Sequence, residues 1–191
     1  LSLNCIPATG ELLVIRNTGP AFIEGTFSNL SQGQAVDLLF DGTTYRFIAN
    51  YYGGSGNDLV LVWAGARAFA WGYNRFGQLG DNSTTQRNAP AAVFATGSNV
   101  LSGKTVVSAA AGSGHSLAIC SDGMVAAWGF NYDGELGNGG TSQSKFPVAV
   151  DMTSEVSSLS GKSVISVAAG ASHSVALCSD GSVSAWGYNF N

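Results

Sequence analysis

Charge is scarce in this 191-residue sequence: eight Lys and Arg face twelve Asp and Glu, and only 10% of the chain is charged. Binding duplex nucleic acid needs clustered cations that displace counterions from phosphates. Here the basic residues are scattered, so no nucleic-acid partner is expected. Long apolar runs are missing too, and no window of about 18 uncharged apolar residues offers a membrane-spanning helix. The three cysteines, Cys5, Cys120 and Cys178, form no even set and no Cys-x-x-Cys spacing, which argues against a disulfide framework or a zinc site. Helix-forming residues do not dominate, and no 3.6-residue period persists, which excludes a helix bundle. What is plentiful is glycine, 26 residues of it, within a chain that is 45% hydrophobic. That mixture suits many short strands joined by tight turns, because Gly supplies the positive φ that turns require.

The chain repeats itself. Trp71, Trp128 and Trp186 each sit in an Ala-Trp-Gly-aromatic-Asn segment, spaced 57 and then 58 residues apart. Aligning residues 101–131 with 159–189 gives 21 identities in 31 positions without a gap. Within a unit, apolar runs at 116–120 and 125–128 flank Ser121-Asp122-Gly123, a hairpin signature that returns as Ser179-Asp180-Gly181. Upstream, residues 105–109 and 163–167 read as inner strands. The small residues that follow them, ending in Gly112 and Gly170, suit a crowded axis. Cys120 and Cys178 occupy equivalent positions in these units and read as inert core thiols.

At these residues a family resemblance emerges. The order is Ala-Gly-x-x-His-Ser around Gly112 and His115, and again around Gly170 and His173; then Ser-Asp-Gly at Asp122, Gly123, Asp180 and Gly181. The tryptophan loop follows: Trp71, Gly72, Asn74, Gly77, Leu79 and Gly80; Trp128, Gly129, Asn131, Gly134, Leu136 and Gly137; and a third copy that reaches Trp186, Gly187 and Asn189. This pattern resembles the regulator of chromosome condensation repeat, which implies the blades of a seven-bladed β-propeller. The resemblance covers residues 68–191, about two blades, with extra length at 94–101 and 152–159. The sequence begins at Leu1 and stops within a motif, so it is expected to be an excerpt of a longer chain whose further blades complete the ring. The three tryptophans are expected to be buried anchors of blade packing.

Residues 1–63 form a different β unit, with 64–67 as a linker. Apolar runs at 12–15, 22–23, 36–40, 45–48 and 59–63 alternate with Gly, Asn, Asp and Ser turns. The strings at 23–30 and 51–61 resemble the end of a β-helix passenger in secreted, autotransporter-like bacterial proteins. That resemblance implies a β-solenoid end segment and an extracellular or cell-surface location. The expected fold is therefore all-β: a β-solenoid end followed by a partial propeller.

No catalytic, cofactor-binding or metal-binding residue is expected. His115 and His173 are the only histidines, and a residue copied from blade to blade reads as a turn-stabilising hydrogen bonder rather than a singular base. Glu11, Glu24, Asp37, Asp41 and Asp58 show no pairing for glycoside hydrolysis. Ser102-Gly103-Lys104-Thr105 ends like a phosphate-binding loop but lacks its first glycine at the required spacing, and reads as a turn before a strand. Glu135, where the previous unit has Gln78, reads as drift within a loop. The function expected is a non-catalytic binding scaffold for a protein or glycan. Guanine-nucleotide exchange, as implied by the family's namesake, and a carbohydrate-active enzyme with its acids elsewhere are the alternatives. Residues 53–61 also match one copy of a calcium-binding nonapeptide, yet consecutive turns are needed to complete a cation's oxygen shell. Calorimetric titration is expected to show no tight calcium binding; tight binding abolished by Asp58→Ala would overturn that expectation.

Overall fold

A computed structural model describes residues 11–15, 30, 32, 34–40, 43–53, 58–63, 68–95 and 98–190. The chain divides into two compact units, Leu1–Ala66 and Arg67–Asn191. All regular structure among the described residues is β-strand.

The first unit holds β1 (Glu11–Ile15), β2 (Ala35–Phe40), β3 (Thr43–Gly53) and β4 (Asp58–Trp63), in the sheet order β1-β4-β3-β2. Period-two burial in β3 places Phe47, Ala49 and Tyr51 on one face, where they pack with Leu38, Leu59 and Leu61. Tyr51 belongs in that core because its hydroxyl donates to the Leu30 carbonyl at 2.7 Å. On the sheet's wet side Asp37 and Arg46 stand directly opposite and form a two-bond ion pair. Every pairing here is antiparallel. The β-solenoid end expected for 1–63 is not seen among the described residues, since solenoid coils stack parallel strands and these form an antiparallel sheet. Gly53 pairs with Asp58 across the β3–β4 connection. The apolar run at 22–23, the linker 64–67 and residues 54–57 lie outside the described residues.

The second unit is built of blades. The middle one is complete: β7 (Val106–Ala111), β8 (His115–Cys120), β9 (Val125–Gly129) and β10 (Ser144–Ala149), in the order β10-β9-β8-β7. Before it lies the pair β5 (Phe69–Gly72) and β6 (Arg87–Ala92). After it comes β11 (Val164–Ala169), β12 (His173–Cys178) and β13 (Val183–Gly187), in the order β11-β12-β13.

The middle blade is buried on both faces, which explains why β8 and β9 are apolar without alternation. Leu117, Ile119, Val125 and Ala127 face the third blade and pack with Leu136, Val164, Ala176 and Cys178. Ala118, Cys120, Ala126 and Trp128 face the first blade and pack with Val93 and Leu101. Cys120 and Cys178 are free and lie in separate clusters, and burial pushes the Cys120 thiol up to about 12. Such a thiol is unreactive at neutral pH.

The turns follow the sequence. Gly123 adopts φ +84° and Gly181 φ +80°, each closing a hairpin through an N–H donated to Cys120 O or Cys178 O. The Asp180 carboxylate is held down at about 2, chiefly by the Ser182 hydroxyl and amide. Lys104 pairs with Asp122, and Lys162 with Asp180 at 3.2 Å, at the same place in successive blades. The outer strands β6 and β10 carry Pro90 and the buried Pro147 where the pairing register is broken, so neither offers an unbroken row of N–H donors along its outer edge.

The three tryptophans do not share one environment. Trp128 is 2% exposed, Trp186 is half-buried, and Trp71 is 62% exposed, which corrects the expectation that all three are buried. The cover over Trp128 is the loop of the preceding repeat, and no loop of that kind lies over Trp71 among the described residues. Trp128→Ala should cost roughly 3–5 kcal/mol in denaturant melts, as for other buried aromatics, and Trp71→Ala less than about 1 kcal/mol. Equal losses would show that the tryptophan packs without its neighbour's loop.

Candidate interaction face

After each tryptophan strand the chain enters a Gly- and Asn-rich loop, and one side chain organises it. Asn74 is buried; its Oδ1 accepts the Leu79 amide at 2.9 Å, and its Nδ2 donates to Ser83 O and Thr85 O at 3.1 and 3.0 Å. Asn131 repeats this in the next copy, with the Leu136 amide at 2.8 Å and Gly140 O and Ser142 O both at 3.0 Å. No other residue type supplies one acceptor and two donors on so short a stem. In the third copy Asn189 is exposed. Leu79 and Leu136 are driven inward as buried plugs. Gly72, Gly77, Gly129, Gly134 and Gly187 lie in the same loops, all at positive φ. In the first loop Asp81 bonds Ser83 and Arg87; burial raises its carboxyl, and those partners outweigh this and hold it below the usual range.

The loop then locks onto the next blade through a backbone carbonyl. Gln78 O accepts from the Ser116 hydroxyl at 2.8 Å and from the Trp128 indole N–H at 2.8 Å. Glu135 O accepts from Ser174 at 2.8 Å and from Trp186 at 2.9 Å. Both carbonyl lone pairs are used, and the indole is held by its polar edge while its rings fill the seam. Gly80 and Gly137 lie flat against these indoles. A Cβ on either would stand 2.7 Å from the indole nitrogen, so only glycine fits.

Glu135 is more than drift within a loop, because its side chain is fully buried. Its Oε2 accepts the Asp133 amide at 2.9 Å, just as Gln78 Oε1 accepts the Phe76 amide at 3.0 Å. Gln78 Nε2 also reaches Ser113 O at 3.5 Å, whereas Glu135 Oε1 has no partner.

His115 Nε2 lies 3.0 Å from Ser174 Oγ, and the two are buried in the seam between blades. A nucleophile beside a base has the form of a catalytic dyad. Here the serine proton is already given to Glu135 O and both groups are sealed from substrate, so the pair acts as packing. Burial, together with His173, lowers the His115 pKa below its usual 6.5. Gly112 permits this closeness: a Cβ there would stand 2.4 Å from Gly170 O and 2.7 Å from the His115 ring. Gly170 is crowded in turn by the His173 ring, and His173 itself is exposed. Among the described residues no group of three or more His, Cys, Asp and Glu could hold a metal ion.

What the loops present outward is aromatic. Tyr73 and Phe76 meet edge to face at 6.4 Å, Phe76 meets Phe130 at 4.9 Å, and Phe130 stacks beside Tyr132 at 6.4 Å. Tyr188 and Phe190 add a pair 5.6 Å apart from the third copy. Tyr132 is 76% and Phe190 74% exposed. The sequence reading missed this row, although residues 73, 130 and 188 recur at the repeat spacing and are all aromatic.

The profile of the regulator of chromosome condensation (RCC1) repeat matches residues 66–119 and 122–177. The chain belongs to that family. It is 30% identical over 135 residues to the ultraviolet-B receptor UVR8 of Arabidopsis thaliana, covering 71% of this chain and 28% of the receptor. It is 36% identical over 134 residues to the human E3 ubiquitin-protein ligase HERC2, covering 69% of this chain and 2% of the ligase. The chain thus spans less than a third of either relative. Among solved structures it is similar to Prp20p from Saccharomyces cerevisiae, a protein with binding properties to Gsp1p and histones. That likeness has a TM-score of 0.51 at 29% identity and covers 67% of this chain and 30% of that one. The repeats are therefore those of RCC1-type β-propellers.

The seam chemistry yields two expectations for denaturant melts. Glu135→Gln should stabilise the chain by about 1 kcal/mol, since an amide can donate where Oε1 now has no partner. Asn131→Ala should cost about 2 kcal/mol or more by orphaning the buried Leu136 amide and its neighbouring carbonyls. A destabilising Glu135→Gln would show that the carboxylate is required at the seam.

Proposed function

We propose that this chain is part of a non-catalytic binding scaffold whose contact face is the aromatic row Tyr73, Phe76, Phe130, Tyr132, Tyr188 and Phe190. The observation that carries this reading is the exposure of Tyr73, Tyr132, Tyr188 and Phe190, with Phe76 and Phe130 half-buried beside them, and the first two loops locked by buried asparagines and seam carbonyls. Exposed apolar rings cost solvation, and tyrosine and phenylalanine are enriched where surfaces meet a partner. The two locked loops present Tyr73 and Tyr132 without a large ordering entropy on binding. The RCC1-repeat relative Prp20p is a protein binder, which supports a protein partner. A neutral glycan suits the same row, since few charged groups line the loops. A bacterial secreted or cell-surface setting belongs to this reading and rests on the resemblance of residues 23–30 and 51–61 to passenger ends.

Guanine-nucleotide exchange is the second reading, favoured by the likeness to a protein that binds Gsp1p. Screening the chain on a glycan array and in pull-downs with identified prey, beside Tyr132→Ala and Phe190→Ala, tests the proposal. Each variant should lose roughly tenfold or more in affinity with no change in unfolding midpoint. Undiminished binding by both variants would sink the aromatic face as the contact. Accelerated nucleotide release from a small GTPase would favour the exchange reading.

A further inference from the structure

The seam between the second and third blades contains both of the buried side-chain atoms that lack a partner among the described residues, His115 Nδ1 and Glu135 Oε1. We propose that His115 is an acid-sensitive latch on this seam: the neutral imidazole ties the two blades together, and its protonation loosens them. The geometry fixes the protonation state first. The Ser174 hydroxyl has one proton, and it goes to Glu135 O at 2.8 Å. Toward His115 it can only accept, so the imidazole carries its proton on Nε2 and donates across the seam at 3.0 Å. Nδ1 is left bare in a crowded site, where a Cβ on Gly112 would meet Gly170 O at 2.4 Å and Nδ1 itself at 2.9 Å.

A second proton must therefore enter at Nδ1, where no acceptor waits for it, and must place a cation in a buried seam. The titratable groups on the neighbouring elements are His173 and Cys178 on β12 and Tyr132, Asp133 and Glu135 in the loop after β9, and of these it is His173 whose charge bears on His115. Glu135 already accepts the Asp133 amide through Oε2. Burial first and His173 second lower the affinity of His115 for that proton. His173 sits at the equivalent place in the third blade and is exposed, so the latch is a property of a closed seam and not of the repeat alone.

The sign of the effect follows from linkage. In the unfolded chain the imidazole takes a proton near its ordinary value of 6.5, and in the folded chain only at lower pH. Between those two points the unfolded state holds more protons, so stability is full above about 6.5 and falls as pH drops below it. The test follows the full chain from pH 7.5 to 5.5 by urea melts and by NMR of the histidine rings, with His115→Gln assigning the signals. Glutamine can donate to Ser174 and does not titrate. The expected results are an Nε2–H tautomer at neutral pH, a His115 titration below 6.5, and a urea midpoint that falls on acidification in the wild type but not in His115→Gln. His115→Asn serves if the glutamine variant does not fold, and the ring titration needs no variant. An Nδ1–H tautomer, a titration at or above 6.5, or an undiminished acid loss in the variant would each overturn the latch.

Discussion

One backbone carbonyl per repeat holds the second unit together. Gln78 O and Glu135 O each receive a serine hydroxyl and a tryptophan indole from the following blade. The carbonyl can occupy that spot only because the loop around it is rigid, and the loop is rigid because a buried asparagine saturates its backbone. Loop shape, tryptophan burial and blade contact are thus one cooperative arrangement. The hydrophobic clusters on either side of the middle blade supply the larger share of the burial, but the seam bonds fix which faces meet.

Much of this was legible in the sequence, because the repeat period and the Asp-Gly turns are local signals. The hairpins around Gly123 and Gly181, and the strands on either side of them, stand where the residues place them. The environment of Trp71 was not legible, since a tryptophan's cover comes from the preceding unit and not from its own flanks. The antiparallel arrangement of β1 to β4 was not legible either. Strand direction depends on long-range pairing, and a string of Gly and Asn turns fits a coil or a meander equally well. The aromatic row did have a signal in residues 73, 130 and 188, but only the folded loops show that Phe76 and Phe130 touch.

The pairing of Gln78 with Glu135 shows how a repeat tolerates change. The backbone carbonyl carries the bonds to the serine and the indole, so the side chain is held mainly by the Phe76 or Asp133 amide, with one long contact from Gln78 Nε2 to Ser113 O in the first seam. A carboxylate enters with one oxygen satisfied and one orphaned. Neighbouring repeats can therefore differ in polarity at a buried position while sharing one fold.

The seam bonds also have a fixed reach along the chain. Serine to carbonyl spans 38 and 39 residues, and tryptophan to carbonyl 50 and 51, in the two seams. No donor looks for a partner within its own unit. Gene duplication or deletion of one whole period consequently leaves every donor facing an acceptor of the same kind, and the one-residue difference between the two seams shows that a small insertion inside the period also leaves the bonds intact. Lineages carrying this architecture are free to vary in blade number by whole steps, and selection at a given tryptophan acts on residues encoded roughly one period upstream.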